Sequence, residues 1–377
     1  MQTPHPDSLS SDELIGLMLM VGVRGDGVSD PVFAGDIEAC RAARVGGVIL
    51  FDVHLPAFVA RREAGEEPGT ARLGATRNIV SAGQTAALSG LIRERLGDHA
   101  IVSIDQEGGK VARLGASRGF PETPSASLFA RLGPEERRRA AGELAGGVRL
   151  VGVDMNFTPC IDADVNPENP IIALKGRSFG VDPEVIAACA VAHIEAHAEA
   201  GVVSCLKHFP GHGSSAADTH AGFADITASW RADPELSVYH RLVPRLNTRR
   251  TCVMTGHLFH AGIDRQHPAS LSRAHTTGLL RETLGFAGVV ITDALDMGAV
   301  TQRYSRGEAL VLAVNAGADI LLDGFNGVPG VGDGAAGEPH PAPAMHEALA
   351  RALRNGGIDG GIERLRESAR RILALRR

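Results

Sequence analysis

The chain has 377 residues, 44% of them hydrophobic and 22% charged, with a net charge of −6. That makeup is ordinary for a globular enzyme with a sizeable core, and a mildly acidic surface has no general attraction for nucleic acid or an anionic membrane. No apolar run is long enough for a membrane-spanning helix, and basic clusters such as Arg137-Arg138-Arg139 are short and polar-flanked, as on a solvated face.

In chain order, Met1–Asp7 is polar and lacks a basic segment leading into an apolar run, so no secretory signal is expected. The five cysteines, Cys40, Cys160, Cys189, Cys205 and Cys252, are odd in number and far apart, which fits free thiols in a reducing cytoplasm. Apolar, β-branched runs recur at Met18–Val23, Gly47–Phe51, Ala100–Ile104, Met155–Thr158, Val202–His208, Thr251–Gly256, Val289–Thr292 and Asp319–Leu322. They are continuous, not alternating, as parallel strands buried on both faces require. Helical sequence lies between them, as at Gln84–Leu96, Glu135–Leu150, Pro183–Ala200 and Ser305–Ala316, and a last amphipathic helix is expected at Gly361–Leu375. The alternation predicts an α/β fold, a single (β/α)8 barrel of the TIM type spanning residues 1–377. An open doubly wound sheet is disfavoured, because no Gly-x-Gly-x-x-Gly follows the first strand. Two segments break the rhythm. Residues 53–80 are too long for a strand-to-helix loop and are expected as a mobile surface insertion. The Gly/Pro-rich stretch 324–344 is expected as a loop at the barrel mouth.

Barrel enzymes carry their chemistry at the C-terminal strand ends. Those ends hold Asp105-Gln106-Glu107, Asp162 and Asp164, Lys207-His208, His257 and Asp293. Charges gathered on one rim must satisfy one another or a ligand, since burying them alone costs several kcal/mol. From Lys207 to His220 the chain leaves its strand as a Gly-rich loop, and Asp218-Thr219-His220 sets a carboxylate beside an imidazole, a pairing suited to acid/base work near neutral pH. Asp293 follows an apolar strand and serves equally as a helix N-cap or as a carboxylate nucleophile facing the rim. Lysine occurs only at Lys110, Lys175 and Lys207, which singles out Lys207.

These segments together resemble glycoside hydrolase family 3, in its β-N-acetylglucosaminidase branch. Asp105-Gln106-Glu107-Gly108-Gly109-Lys110-Val111-Ala112-Arg113 is similar to that family's Asp-Gln-Glu-Gly-Gly-Arg-Val-x-Arg. Lys207-His208-Phe209-Pro210-Gly211-His212-Gly213 and the following Asp218-Thr219-His220 are similar to its histidine loop. Asp164-Val165-Asn166-Pro167 with Arg177-Ser178-Phe179-Gly180, and Thr292-Asp293-Ala294-Leu295, resemble two further family stretches. The resemblance implies a retaining hydrolase with Asp293 as nucleophile, His220 paired with Asp218 as general acid/base, and Asp105, Arg113, Arg177, Lys207 and His208 binding the sugar. The stretch before Arg177 runs longer than the family pattern, so Lys175 is an alternative for that place. The implied substrate is a small carbohydrate with a terminal β-linked N-acetylhexosamine, with peptidoglycan recycling as setting. No cofactor, metal, nucleic-acid or membrane partner is expected, and a monomer is plausible. Alternatives are a family 3 β-glucosidase, a phosphorylase using phosphate in place of water, a metal-dependent amidohydrolase built on His208, His212, His220, His257, His260 and Asp293, a Schiff-base aldolase using Lys207, and an inactive sugar-binding barrel.

Overall fold

In the computed structural model, which describes residues 5–27, 29–327, 334 and 337–375, the apolar runs form eight parallel strands. These are β1 (Leu19–Gly22), β2 (Gly47–Leu50), β3 (Ile101–Ile104), β4 (Met155–Asn156), β5 (Val203–Phe209), β6 (Thr251–Thr255), β7 (Val290–Thr292) and β8 (Leu321–Asp323). Each pairs with the next in sequence from β1 to β7, and β8 pairs with β1. A bridge between Ile291 and Ile320 brings β7 to β8 and nearly closes the cylinder. Every strand residue is buried, which is why the runs are continuous in sequence.

The helices around the barrel have legible ends. Pro183–Ala200 starts with Asp182 accepting the Glu184 N–H at 2.9 Å and stops at Gly201, whose φ of +73° suits glycine. Arg306–Ala316 opens on a reciprocal cap between Ser305 and Glu308. His193 and His197, on the inner side of Pro183–Ala200, are fully buried packing groups. The His193 ring lies 4.4 Å from that of Phe129, and His197 shares a 3.1 Å hydrogen bond with the Asn156 amide.

The 53–80 insertion is firmly built in. It forms helices Leu55–Glu63 and Pro68–Gly74, with Arg72 paired to buried Asp52 and the Arg118 guanidinium donating to Asp52 O at 2.7 Å. Arg77 closes it against the strand β8 loop through a 2.6 Å bond to Phe325 O. Of the 324–344 stretch, residues 328–333 and 335–336 lie outside the described residues; the helix Ala342–Arg354 begins before its expected end. All five cysteines are buried and free, and no described helix is long and apolar enough to cross a membrane.

The N-terminal end of the barrel carries a purely structural charge cluster. Asp319, fully buried ahead of β8, accepts from Arg281 (2.6 Å), Arg371 (3.0 Å), Ser368 (2.8 Å) and the Val290 N–H (3.0 Å). Removing one partner of a buried charge group leaves the others unpaired. Asp319→Ala should therefore lower unfolding stability by about 3 kcal/mol, read by urea denaturation, with activity per folded molecule unchanged.

Candidate active site

The C-terminal end of the barrel gathers charge of both signs. From β5, the Lys207 ammonium lies 2.7 Å from Asp105 Oδ1 and 2.7 Å from Glu107 Oε1. The Arg177 guanidinium grips Glu107 with two bonds of 2.9 and 2.8 Å and donates a third to Ile171 O at 3.0 Å. Arg113 stands 3.6 Å from Asp105 Oδ2. Burial alone would raise the Glu107 carboxyl, but Arg177 and Lys207 outweigh it and hold the group far below the usual carboxylate range. Burial likewise works against a charged Lys207, and Asp105 and Glu107 reverse that, holding it above the ordinary lysine value. A permanently protonated lysine is the opposite of what an amine nucleophile requires.

The loop after β5 is braced from its base to its tip. Asp162, beyond β4, accepts from His208 Nδ1 (2.6 Å) and from the backbone N–H groups of His208 (3.0 Å) and His212 (2.8 Å). Asn169 donates to His212 O at 2.8 Å and Asn166 to Ser215 O at 3.0 Å. That bracing accounts for the asparagines in the Asn166-Pro167 and Asn169-Pro170 turns. Further along, Asp218 Oδ1 accepts from His220 Nδ1 (2.8 Å) and from the His220 N–H (2.9 Å). A carboxylate at Nδ1 fixes the proton there and leaves Nε2 to give or take one. Burial would raise Asp218, yet His220, and after it Lys175, hold it at about 2. The tip of the loop rests on the chain just past β7. The N–H groups of Gly298 and Ala299 donate to His220 O (3.2 Å) and Thr219 O (3.1 Å), and Gln302 donates to Ala221 O (2.9 Å).

Asp293 stands at the tip of β7. Its N–H donates to Thr255 O at 2.9 Å and its Oδ1 accepts the adjacent Ala294 N–H at 2.8 Å. The helix beyond starts only at Gly298, so Asp293 does not cap it. Burial is the largest influence on its carboxyl and raises it. The imidazoles of His208, His257 and His220 together outweigh burial and leave it below the ordinary aspartate value, ionised at neutral pH. His257 donates from Nε2 to Ala294 O (2.8 Å), so its neutral ring accepts the Ser270 hydroxyl at Nδ1 (2.7 Å).

One cavity of about 430 Å³ is lined by Asp293, His220, Asp218, Asp105, Arg113, Arg177, Lys207 and His208, so all eight residues singled out from sequence open onto the same space. Arg177, not Lys175, holds Glu107; Lys175 lines the cavity from a less buried position, with Lys110. Sequence reasoning placed Glu107 and Asp162 on the rim but gave them no part in the site. Asp296, which lines the cavity and accepts the Gly324 N–H at 2.8 Å, was missed altogether. Among the described residues, one group has metal-ligand spacing: Cys160, Asp162 and His208, with donor atoms within 4.8 Å of one another. Burial pushes the Cys160 thiol well up, so it stays protonated and donates to Asp162 Oδ2 at 3.2 Å. The set therefore acts as a hydrogen-bonded brace.

Comparison with known proteins gives the chain's family and fold relatives. Residues 38–375 match the model of the glycosyl hydrolase family 3 N-terminal domain. The chain is 32% identical to β-hexosaminidase A of Pseudoalteromonas piscicida over 239 residues, 59% of this chain and 39% of that protein. It is 32% identical to β-hexosaminidase LpqI of Mycobacterium tuberculosis over 328 residues, 84% of this chain and 74% of that protein. A solved family 3 β-N-acetylglucosaminidase from a Paenibacillus species superposes with a TM-score of 0.79 at 30% identity, over 97% of this chain and 62% of that one. The chain thus spans well under two thirds of the first of these relatives and just under two thirds of the solved structure.

Proposed function

The chain belongs to glycosyl hydrolase family 3, and on that premise we propose that it is a retaining β-N-acetylglucosaminidase acting on terminal, non-reducing N-acetylhexosamine. One observation carries the reading. The ionised Asp293 and the His220–Asp218 pair open onto one cavity, and the loop bearing His220 is docked by its tip on the backbone that follows Asp293.

In this mechanism Asp293 attacks the anomeric carbon while His220 Nε2 protonates the departing oxygen. The resulting glycosyl-enzyme is opened by a water that gives its proton back to His220. Retaining glycosidases ordinarily use two carboxylates; here an imidazole takes the acid/base role, and Asp218 orients it and stabilises its charged form. Asp105, Arg113, Arg177, Lys207 and His208 meet the sugar's hydroxyl and acetamido groups. The Asp105–Lys207–Glu107–Arg177 chain is charge-paired before substrate arrives, so binding requires little reorganisation. The reading extends to disaccharides released in peptidoglycan recycling as natural substrates, and to a cytoplasmic place of action.

Turnover of paired 4-nitrophenyl β-N-acetylglucosaminide and β-glucoside, each with and without phosphate, tests it. The expected result is cleavage of the first with little of the second. Sugar-1-phosphate as the main product would make the enzyme a phosphorylase. Cleavage of neither glycoside would remove the proposed activity.

A further inference from the structure

Beside the cavity, the buried acid Glu235 stands without a counter-charge. Glu235, in the turn Ala232–Leu236, is 1% exposed, and among the described residues no cationic nitrogen lies within 4 Å of it. Its two oxygens hold backbone donors from two different places. Oε1 accepts the Ser214 N–H at 3.2 Å and Oε2 the Arg231 N–H at 3.3 Å. Its side chain also packs against Gly211, where φ is +127° and a Cβ would come within 2.6 Å of the Glu235 Cβ. Next to it the Trp230 indole donates to Pro210 O at 3.3 Å. The stem of the histidine loop, residues 210–214, is therefore seated on residues 230–235. The stem is tied in turn to the tip, because His212 Nε2 meets the Thr219 hydroxyl at 3.2 Å, next to His220.

We propose that Glu235 is a positioning residue for the acid/base loop: by holding the Ser214 N–H and filling the space against Gly211, it sets the direction in which the loop leaves β5 and so the reach of the His220 imidazole. The proposal rests on the reading of His220 as general acid/base. Burial, with the Asp162 charge adding to it and the hydrogen bonds from Ser214 and Arg231 opposing it, lifts the Glu235 carboxyl to about 7. The other titratable group coupled to it is the Tyr239 phenol, on the helix that follows. A glutamine keeps the volume against Gly211 and one acceptor oxygen, which serves the Ser214 N–H of the loop stem, and loses only the bond to the Arg231 N–H.

The test measures kcat/KM on two β-N-acetylglucosaminides. A 2,4-dinitrophenyl glycoside departs without protonation; a methyl glycoside needs the acid. In E235A the loss on the methyl glycoside is expected to exceed that on the dinitrophenyl glycoside by about tenfold, whereas E235Q restores both to near the native values. E235M, which keeps the volume and removes both acceptors, carries the same expectation if E235A does not fold by circular dichroism. Equal losses on the two substrates, or none on either, would overturn the role of Glu235. A native protein inactive on both would instead overturn the functional reading beneath it.

Discussion

Replacing Asp293 with alanine is expected to cut turnover of an aryl β-N-acetylglucosaminide by roughly 10⁵-fold, the scale seen when a covalent route is removed and only binding and electrostatics remain. The geometry makes this the largest single effect in the site. Asp293 has one oxygen occupied by the Ala294 N–H, and Oδ2 accepts no protein hydrogen bond among the described residues, so it is free for the anomeric carbon. His208, foremost among its neighbours, and the Ala294 N–H hold its carboxyl below the ordinary aspartate value against the pull of burial, and a nucleophile must be ionised. Alanine removes the charge without touching the strand, since the ladder bond from Asp293 to Thr255 is made by backbone. The variant should therefore fold and bind sugar while failing in chemistry. Azide distinguishes this from general damage. It can enter from the face that the carboxylate vacated, giving the α-glycosyl azide, the product of inversion. Turnover by Asp293→Ala within tenfold of native would remove the residue from the nucleophile's role.

The barrel was legible because parallel strands buried on both faces leave continuous apolar runs, and the runs found in sequence each overlap one observed strand, two of which run one residue further. The distinction between rim and base was legible for the same reason. Asp293 follows its strand and faces the cavity, whereas Asp319 precedes one and sits among Arg281, Arg364 and Arg371 at the opposite end. Other features depended on contacts between residues far apart in the chain. Glu107 lies in a short hairpin beyond β3, and its partner Arg177 is reached only through the fold, so the hub of the charge network looked like a rim carboxylate of no special importance. Choosing between Arg177 and Lys175 depended on the same contact. The two helices within 53–80 are nine and seven residues long and begin at or next to proline, too short for an amphipathic period to stand out. What fastens them is arginine, the half-buried Arg72 and the buried Arg77 and Arg118, bonded to carbonyls and to Asp52, which composition does not reveal. Asp162 could be located but not interpreted, because its bonds to His208 and His212 reach residues more than forty positions away in the chain.

Replacing His220 with alanine should give a loss that depends on the leaving group, and that dependence identifies its role. With an alkyl or sugar leaving group, which cannot depart as an anion, kcat/KM should fall by roughly 10²–10⁴-fold. With a dinitrophenyl group the first step needs no acid, so kcat/KM should stay close to native. Turnover should then stall at the glycosyl-enzyme, because the base that activates water is also gone. Azide needs no such base and should restore turnover, giving the β-glycosyl azide with retention, opposite to the product expected from Asp293→Ala. Asp218→Asn should fall in the same pattern to a smaller extent. The amide keeps His220 in place, but it no longer supplies the charge that favours imidazolium, the form that donates to the leaving oxygen. Because the loop tip is held by Gly298, Ala299 and Gln302 through backbone carbonyls, neither substitution disturbs its docking. A His220→Ala enzyme that lost equal activity on both leaving groups, with no response to azide, would assign the proton to another group and leave Asp218 and His220 as a structural pair.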